Sequence, residues 1–225
     1  MNDLSLHSQS VLLAEKTLSF NLMPCVELDD SWLEAMPQGL GPRIMEENSH
    51  VAPQVGQYLL DTFEIADRYW SDFSASRNRL ALLDCYTLQK VCMHIGLVLQ
   101  GSKIRAEVNG AAIKRLRDAV GAEAVNFVFK TAPLIGETPE FYFHTDINDI
   151  RLNLIALGVA YTIHQNAAGD SAYTTRLLFK LPKKLSKDLH RHLQTADGHK
   201  ADDAMPRITR RVIKEVAPQW LPLFN

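Results

Sequence analysis

The sequence predicts an all-α protein, built as an irregular bundle of roughly eight helices around a buried central helix at about residues 85–100. Three observations lead to this prediction. Apolar residues recur at steps of three and four along most of the chain, as they do on one face of a helix. Strand-like alternation is rare, and capping residues, glycine or proline separate the periodic segments.

The central helix is predicted from its caps and from its apolar face. Asp84 is a good N-cap, and Gly101 is placed where a left-handed residue closes a helix. Gly96 is unfavourable inside a helix, so we expect it to permit close contact with another helix. The buried face consists of residues spaced by three and four: Ala81, Cys85, Leu88, Cys92, Ile95 and Leu99.

Shorter elements precede this helix. Residues 1–9 are polar and aperiodic, so we expect disorder, followed by a short amphipathic helix from Ser10 that Pro24 stops. A short helical turn follows at residues 31–36, capped by Asp29, Asp30 or Ser31. Prolines and glycines in residues 37–56 predict a long surface loop. Residues 55–73 carry aromatic side chains at helical spacing and predict one amphipathic helix.

The second half of the chain is predicted to be helical as well. Asn109 and Gly121 bracket one helix, and residues 122–131 form the next. Asp146 is expected to cap the longest helix, over residues 147–166, and Pro206 to begin a last one.

These elements predict one main domain. We expect a single helical domain over residues 10–193, after the disordered residues 1–9. The polar run 194–204 is expected to be a flexible linker. Residues 205–225 are expected to form a C-terminal helix and an apolar tail that must dock on other parts of the protein or remain as a sticky patch.

Composition narrows the class of protein. The formal net charge of −2 argues against general attraction to nucleic acid or to anionic lipid. The longest apolar stretch, residues 150–163, is too short for a membrane span, so we expect no membrane insertion. Three cysteines in apolar contexts predict reduced thiols in the cytosol, and the first residues do not have the pattern of a signal peptide.

Charge is distributed unevenly along the chain. Acidic residues prevail in the first third and basic residues in the last third. The two sets either dock on each other, or bind different partners, or form ordinary solvated helix faces. The candidate partner-binding residues are Glu27, Asp29, Asp30, Glu46, Glu47, Lys183, Lys184, Lys187, Arg207, Arg210 and Arg211.

No motif for catalysis, cofactor binding or metal binding stands out. The sequence has no phosphate-binding loop, no dinucleotide fingerprint and no nucleophile elbow. Cys85 and Cys92 are interpreted as small buried apolar residues rather than metal ligands. No catalytic, cofactor-binding or metal-binding residue is therefore assigned.

Two alternatives stay open. His144, Asp146 and Asp149 resemble an acid–base cluster of an enzyme, although helix capping explains both carboxylates. The basic C-terminal third, with Arg207 and Arg210, offers a second alternative, a helical nucleic-acid-binding protein.

Two short motifs and a long central block resemble a known family. FNLMP at residues 20–24 is followed by DSWL at residues 30–33. The block LLDCYTLQKVCMHIGLVLQ leads through IRAEVNG and IKRLRDAVG to AVNFVFKTAPLIG. Over residues 18–193 the chain resembles the SctK (YscK-type) proteins of bacterial type III secretion systems.

The resemblance implies a cytosolic, non-enzymatic adaptor of the sorting platform, needed for assembly of the secretion machine and for protein export. Such an adaptor links the cytoplasmic domain of the SctD-type inner-membrane ring protein to the SctQ-type pod protein, with an SctL-type stator contacted indirectly. It implies no cofactor, no nucleic acid and a location at the cytoplasmic face of the inner membrane.

Overall fold

A computed structural model describes residues 3–34, 36, 50–165, 171–195 and 204–224. The only regular elements among the described residues are helices, so the predicted all-α class is confirmed. They form eleven α-helices, which we number α1 Asp3–Leu22, α2 Asp30–Leu33, α3 Ala52–Thr62, α4 Cys85–Leu99, α5 Gly101–Ala106, α6 Gly110–Val120, α7 Ala122–Lys130, α8 Ile150–Gln165, α9 Ser171–Phe179, α10 Lys183–Thr195 and α11 Ala204–Val216. The predicted number of roughly eight is therefore too low for the described residues alone.

The chain folds into two compact units that are interleaved in sequence. The first takes Met1–Leu88, Ala168–Ser186 and Pro222–Asn225, and the second takes Gln89–Ala167 and Lys187–Leu221. Each unit thus combines segments far apart in the chain. The single domain over residues 10–193 stays a prediction.

The first unit contains a cluster of three aromatic rings, of which Trp32 and Phe179 are buried in its core. Trp32, Phe63 and Phe179 contact one another edge to face, with ring centroids 5.1 to 5.8 Å apart. The indole N–H of Trp32 donates to the carbonyl of Leu181 at 2.9 Å, which satisfies the polar end of a side chain only 7% exposed. Asp29 N donates to Phe179 O at 2.9 Å, so α2 is fixed against the end of α9.

The helix predicted over residues 55–73 ends earlier than expected, at Thr62. Glu64 has a φ of 55°, Ile65 N donates to Leu60 O at 2.9 Å and Glu64 N to Asp61 O at 3.1 Å. This pattern is a Schellman motif, in which the left-handed residue is usually glycine. Ile65 and Leu60 both lie in the apolar core, and their burial holds Glu64 in this conformation.

Two further boundaries in this unit differ from the prediction. The loop predicted over residues 37–56 gives way to α3 from Ala52, because Pro53 lies in the first turn, where its missing N–H costs nothing. Residues 37–49 of that loop lie outside the described residues. The helix α1 begins at Asp3, within the stretch 1–9 for which disorder is expected, and extending a formed helix gains one hydrogen bond per residue.

In the second unit, α4 and α8 cross at two glycines. A Cβ added to Gly96 would lie 2.9 Å from the carbonyl carbon of Leu154, and one added to Gly158 would lie 2.7 Å from that of Cys92. The pairing of residue 92 with 158 and of 96 with 154 means that the helices run in opposite directions. The expected close contact at Gly96 is confirmed. Almost all of α4 after residue 90 is buried, although a position at the centre of the whole bundle stays a prediction.

Caps define the helix starts in the second unit. Asn109 Oδ1 accepts from Ala111 N at 2.9 Å, and Gly121 ends α6 with a φ of 90°, both as predicted. At α8 the cap is Asp149, whose Oδ1 accepts from Leu152 N at 2.9 Å, so the prediction of Asp146 is wrong by one turn. Gly101 does not close α4 in a left-handed conformation but begins α5.

The C-terminal tail docks rather than forming a sticky patch. Pro218–Phe224 is a 3-10 helix in which Leu223 and Phe224 are buried. Within the first unit, Arg79 Nη1 donates to Leu223 O at 2.8 Å. The predicted linker 194–204 falls mostly on residues 196–203, which lie outside the described residues, while its ends belong to α10 and α11.

Candidate functional site

Glu27, the first residue of the predicted acidic surface, makes an internal ion pair. Its carboxylate pairs with Lys180 Nζ, and the two side chains are 11% and 4% exposed. Lys180 Nζ also donates to Leu83 O at 2.8 Å, and Lys16 Nζ lies 3.5 Å from Glu27. Burial lowers the pKa of Lys180, and the Glu27 carboxylate opposes this effect. The acidic and basic segments therefore contact each other here, inside the first unit.

Two other acidic candidates, Asp29 and Asp30, lie at the start of α2. Asp29 is the N-cap, and its Oδ1 accepts from Ser31 N at 3.0 Å and from Ser31 Oγ at 2.5 Å. Asp30 is exposed in the first turn of the helix. Glu46 and Glu47 lie outside the described residues. Of the described acidic candidates, Asp30 is thus the one with an exposed side chain.

Lys183, the first basic candidate of α10, lies beside α2. Lys183 N donates to Ser31 Oγ at 2.8 Å, and Lys183 Nζ lies 5.5 Å from the centre of the Trp32 ring. Lys184 and Lys187 are exposed on the same helix. The exposed part of α10 is therefore a basic surface, which we define by Lys183, Lys184 and Lys187.

The basic candidates of α11 belong to the second unit and are mostly engaged within it. Arg207 donates to the carbonyls of Ile135 and Glu137, the latter at 2.7 Å, and so holds the turn at Gly136. Arg211 pairs with Glu215 at 3.1 Å, one helical turn away, and Arg210 is exposed. This arrangement stabilises α11 and gives no specific support to the nucleic-acid alternative.

The residues of the enzyme alternative do not converge on a catalytic arrangement. Asp149 is the cap of α8, as described above. His144 Nε2 lies 3.4 Å from Asp146 Oδ1, and both side chains are largely exposed, at 88% and 73%. Asp146 Oδ2 lies 4.0 Å from Arg191, which also approaches Asp188 at 3.5 Å. The cluster is an ion network at the surface of the second unit.

Cys25, Cys92 and His94 are buried and contribute to packing. Burial raises the pKa of the Cys92 thiol to about 12, which keeps it protonated. Cys25 donates to Ala52 O at 2.8 Å. His94 packs edge to face on Phe127, and burial lowers its pKa. Among the residues that the structure describes, no group of three or more His, Cys, Asp or Glu side chains is placed to hold a metal ion.

Two surface features that were not predicted from the sequence are open to a partner. In the first unit, α1 exposes Val11, Leu18 and Leu22, which lie on one helical face and are 53%, 60% and 46% exposed. We call these three residues the α1 row. In the second unit an open groove of about 440 Å³ lies between α5, α6, α8 and the segment before α8. The α1 row has a helical period visible in the sequence, whereas the groove is assembled from four segments.

Comparison with known protein families finds a match for the chain. The family model described as YOP proteins translocation protein K (YscK) matches residues 16–225. The match includes the last helix, which lies beyond the resemblance seen over residues 18–193. No curated protein and no solved structure matches the chain. None of the described helices has both the length and the hydropathy of a membrane span.

Proposed function

Because the chain belongs to the YscK family of type III secretion proteins, we propose that it is a non-enzymatic adaptor of the sorting platform. In this role it links the cytoplasmic domain of the SctD-type ring protein to the SctQ-type pod protein, at the cytoplasmic face of the inner membrane. Contact with the SctL-type stator is indirect.

The observation that carries the proposal is the presence of one candidate surface in each of the two compact units. An adaptor must hold two partners, so it needs two separate surfaces. The α1 row belongs to the first unit and the groove to the second. Single exposed apolar residues are normal on protein surfaces, but an aligned row over three helical turns is a typical contact surface.

The basic surface of α10 adds a third element to the proposal. Its three lysines are exposed, and Lys183 N donates to Ser31 Oγ in α2, the helix on which Asp30 is also exposed. We propose that these lysines set the register and rate of association with one of the two partners, since rim charges act mainly on those properties.

The test is a pull-down of the tagged protein co-expressed with the pod protein and the ring domain. The triple variant Lys183→Glu, Lys184→Glu and Lys187→Glu should lose one partner, keep the other and retain its melting temperature within a few degrees. The matched control reverses three exposed lysines elsewhere: Lys114, Lys130 and Lys214. It should keep both partners.

Two outcomes contradict the proposal at different levels. If the α10 variant keeps both partners at physiological salt, the basic surface has no role in binding. If the wild-type protein, folded and abundant, recovers neither partner, the adaptor function itself is wrong.

A further inference from the structure

The groove of the second unit has an apolar floor. Six of its ten lining residues are apolar, from α5, α6, α8 and the segment before α8: Ile104, Leu116, Phe143, Ile150, Leu154 and Leu157. Its volume of about 440 Å³ lies within the range of about 300–1,000 Å³ that is usual for binding sites in proteins. Ile150 remains 40% exposed at the mouth, whereas Leu154 and Leu157 are buried at the bottom.

The shape of the floor fits a helix. Ile150, Leu154 and Leu157 follow one another at steps of four and three along α8, so they form a straight row. Ile150 and Leu157 are separated by seven steps of about 1.5 Å, so the row is about 10 Å long, two turns of a helix. A helix laid in such a groove contacts it through apolar residues at positions i, i+3 or i+4, and i+7.

The segment before α8 is held in place, so the groove is preformed. Thr145 Oγ1 donates to Asp188 Oδ2 at 2.9 Å, and Phe143 packs edge to face on His192 at 5.3 Å. Asn153 Nδ2 donates to Ile147 O at 2.8 Å and fixes the approach to α8. A preformed groove binds without the entropic cost of ordering its walls.

The edges of the groove are basic. Five exposed basic residues are direct sequence neighbours of floor residues: Lys103 and Arg105 beside Ile104, Arg115 and Arg117 beside Leu116, and Arg151 beside Ile150. On a helix, neighbours at ±1 lie about 100° to either side, which places these charges along the flanks of the floor residues.

Two acidic residues next to the groove are engaged in local contacts. Asp149 caps α8, and Asp146 is paired with His144 and approached by Arg191. In contrast, Arg115, Arg117 and Arg151 form no salt bridge with any residue that the structure describes. The groove therefore favours an occupant with negative charge on its polar face.

We propose that this groove binds an acidic amphipathic helix of a partner protein, with two turns of apolar side chains on the α8 row and acidic side chains against the basic flanks. The inference rests on the proposed adaptor function, because it takes the partner to be another component of the secretion machine.

The first test measures affinity for the purified pod protein and the purified ring domain by isothermal titration calorimetry. Ile150→Glu places a negative charge at the mouth of the groove, where it would repel an acidic helix. It should weaken binding to one of the two proteins about tenfold or more. Its control is Leu134→Glu, the same change at a residue of the second unit that is 71% exposed and outside the groove. The control should change the dissociation constant less than about twofold.

The second variant tests the charge argument. Arg115→Glu with Arg117→Glu should weaken binding to the same partner by about tenfold, and raising the salt concentration should reduce the difference. The control, Lys114→Glu with Lys130→Glu, has the same change in net charge, and Lys114 points about 160° away from Leu116 on α6. Equal effects of the two double variants would overturn the charge argument.

Crosslinking in the native bacterium identifies the occupant and separates the two proposals. A photoreactive phenylalanine analogue at position 150 of the full chain should crosslink to a segment with an excess of acidic residues and apolar residues at helical spacing. If pod and ring proteins co-purify but position 150 crosslinks to neither, or to a second copy of the chain, the groove inference is wrong and the adaptor function stands. If neither protein co-purifies, both are wrong.

Discussion

The close crossing of α4 and α8 predicts that adding a single methyl group to a glycine at the crossing greatly lowers the free energy of unfolding. In Gly158→Ala the new Cβ lies 2.7 Å from the carbonyl carbon of Cys92, and closer still to its oxygen. These are backbone atoms of a buried helix, so no side-chain rotation relieves the overlap. Overpacking of a core costs about 1–3 kcal/mol, and here we expect the upper end of that range.

A gain in helix propensity opposes this cost. Alanine is favoured over glycine inside a helix by about 1 kcal/mol. The expected net destabilisation of Gly158→Ala is therefore about 2 kcal/mol. In a chain of this size each 1 kcal/mol shifts the melting temperature by about 2–4 °C, so the expected decrease is about 4–8 °C. Gly96→Ala should also destabilise the protein, because its new Cβ would overlap the backbone of Leu154.

The assay is thermal and urea unfolding of the purified chain, followed by far-UV circular dichroism. The control is Gly110→Ala, since a Cβ at Gly110, in the first turn of α6, would meet nothing within 4 Å. This control should be as stable as the wild type or more stable by about 0.5 kcal/mol. A Gly158→Ala protein that melts at or above the wild-type temperature would refute the close crossing of the two helices.

Two further predictions concern buried ionisable groups. Glu27→Ala leaves the Lys180 ammonium buried beside Leu83 O without its carboxylate, so urea unfolding should show a loss of about 3–5 kcal/mol. The double variant Glu27→Met with Lys180→Met should recover most of this loss, and failure to recover it would mean that the pair is needed for more than neutralising Lys180. Burial lowers the pKa of His94 from 6.5, so the unfolded chain takes up the ring proton more readily and stability is lost as the pH falls below that value. Between pH 7.5 and 5.5 the His94→Gln variant should therefore lose less stability than the wild type, and equal losses would contradict this assignment.

Local signals in the sequence were sufficient to predict most helices and several caps. Asp84, Asn109 and Gly121 act on backbone groups within four residues, so their effect is already determined by the neighbouring sequence. The close contact at Gly96 was also predictable, because a glycine inside an otherwise favourable helix needs a packing reason. The partner of that contact, Leu154, was not.

The boundaries that the prediction missed depend on burial. Glu64 ends α3 in a left-handed conformation that usually marks a glycine, and the packing of Ile65 on Leu60 provides the energy for it. Gly101 has the residue type of a helix end but begins α5 instead. Such cases depend on which side chains reach the core, and a local pattern does not contain that information.

The candidate binding surfaces, too, were predictable from the sequence only in part. Sequence alone indicated an all-α protein of a type III secretion family and identified exposed charges such as Lys184 and Arg210. Only the tertiary structure showed that Glu27 and Arg207 are used inside the protein, and only it assembled the groove. The reason is physical: a helical period reports on neighbours three and four residues away, whereas an ion pair across 153 residues or a groove built from four segments exists only after the chain has folded.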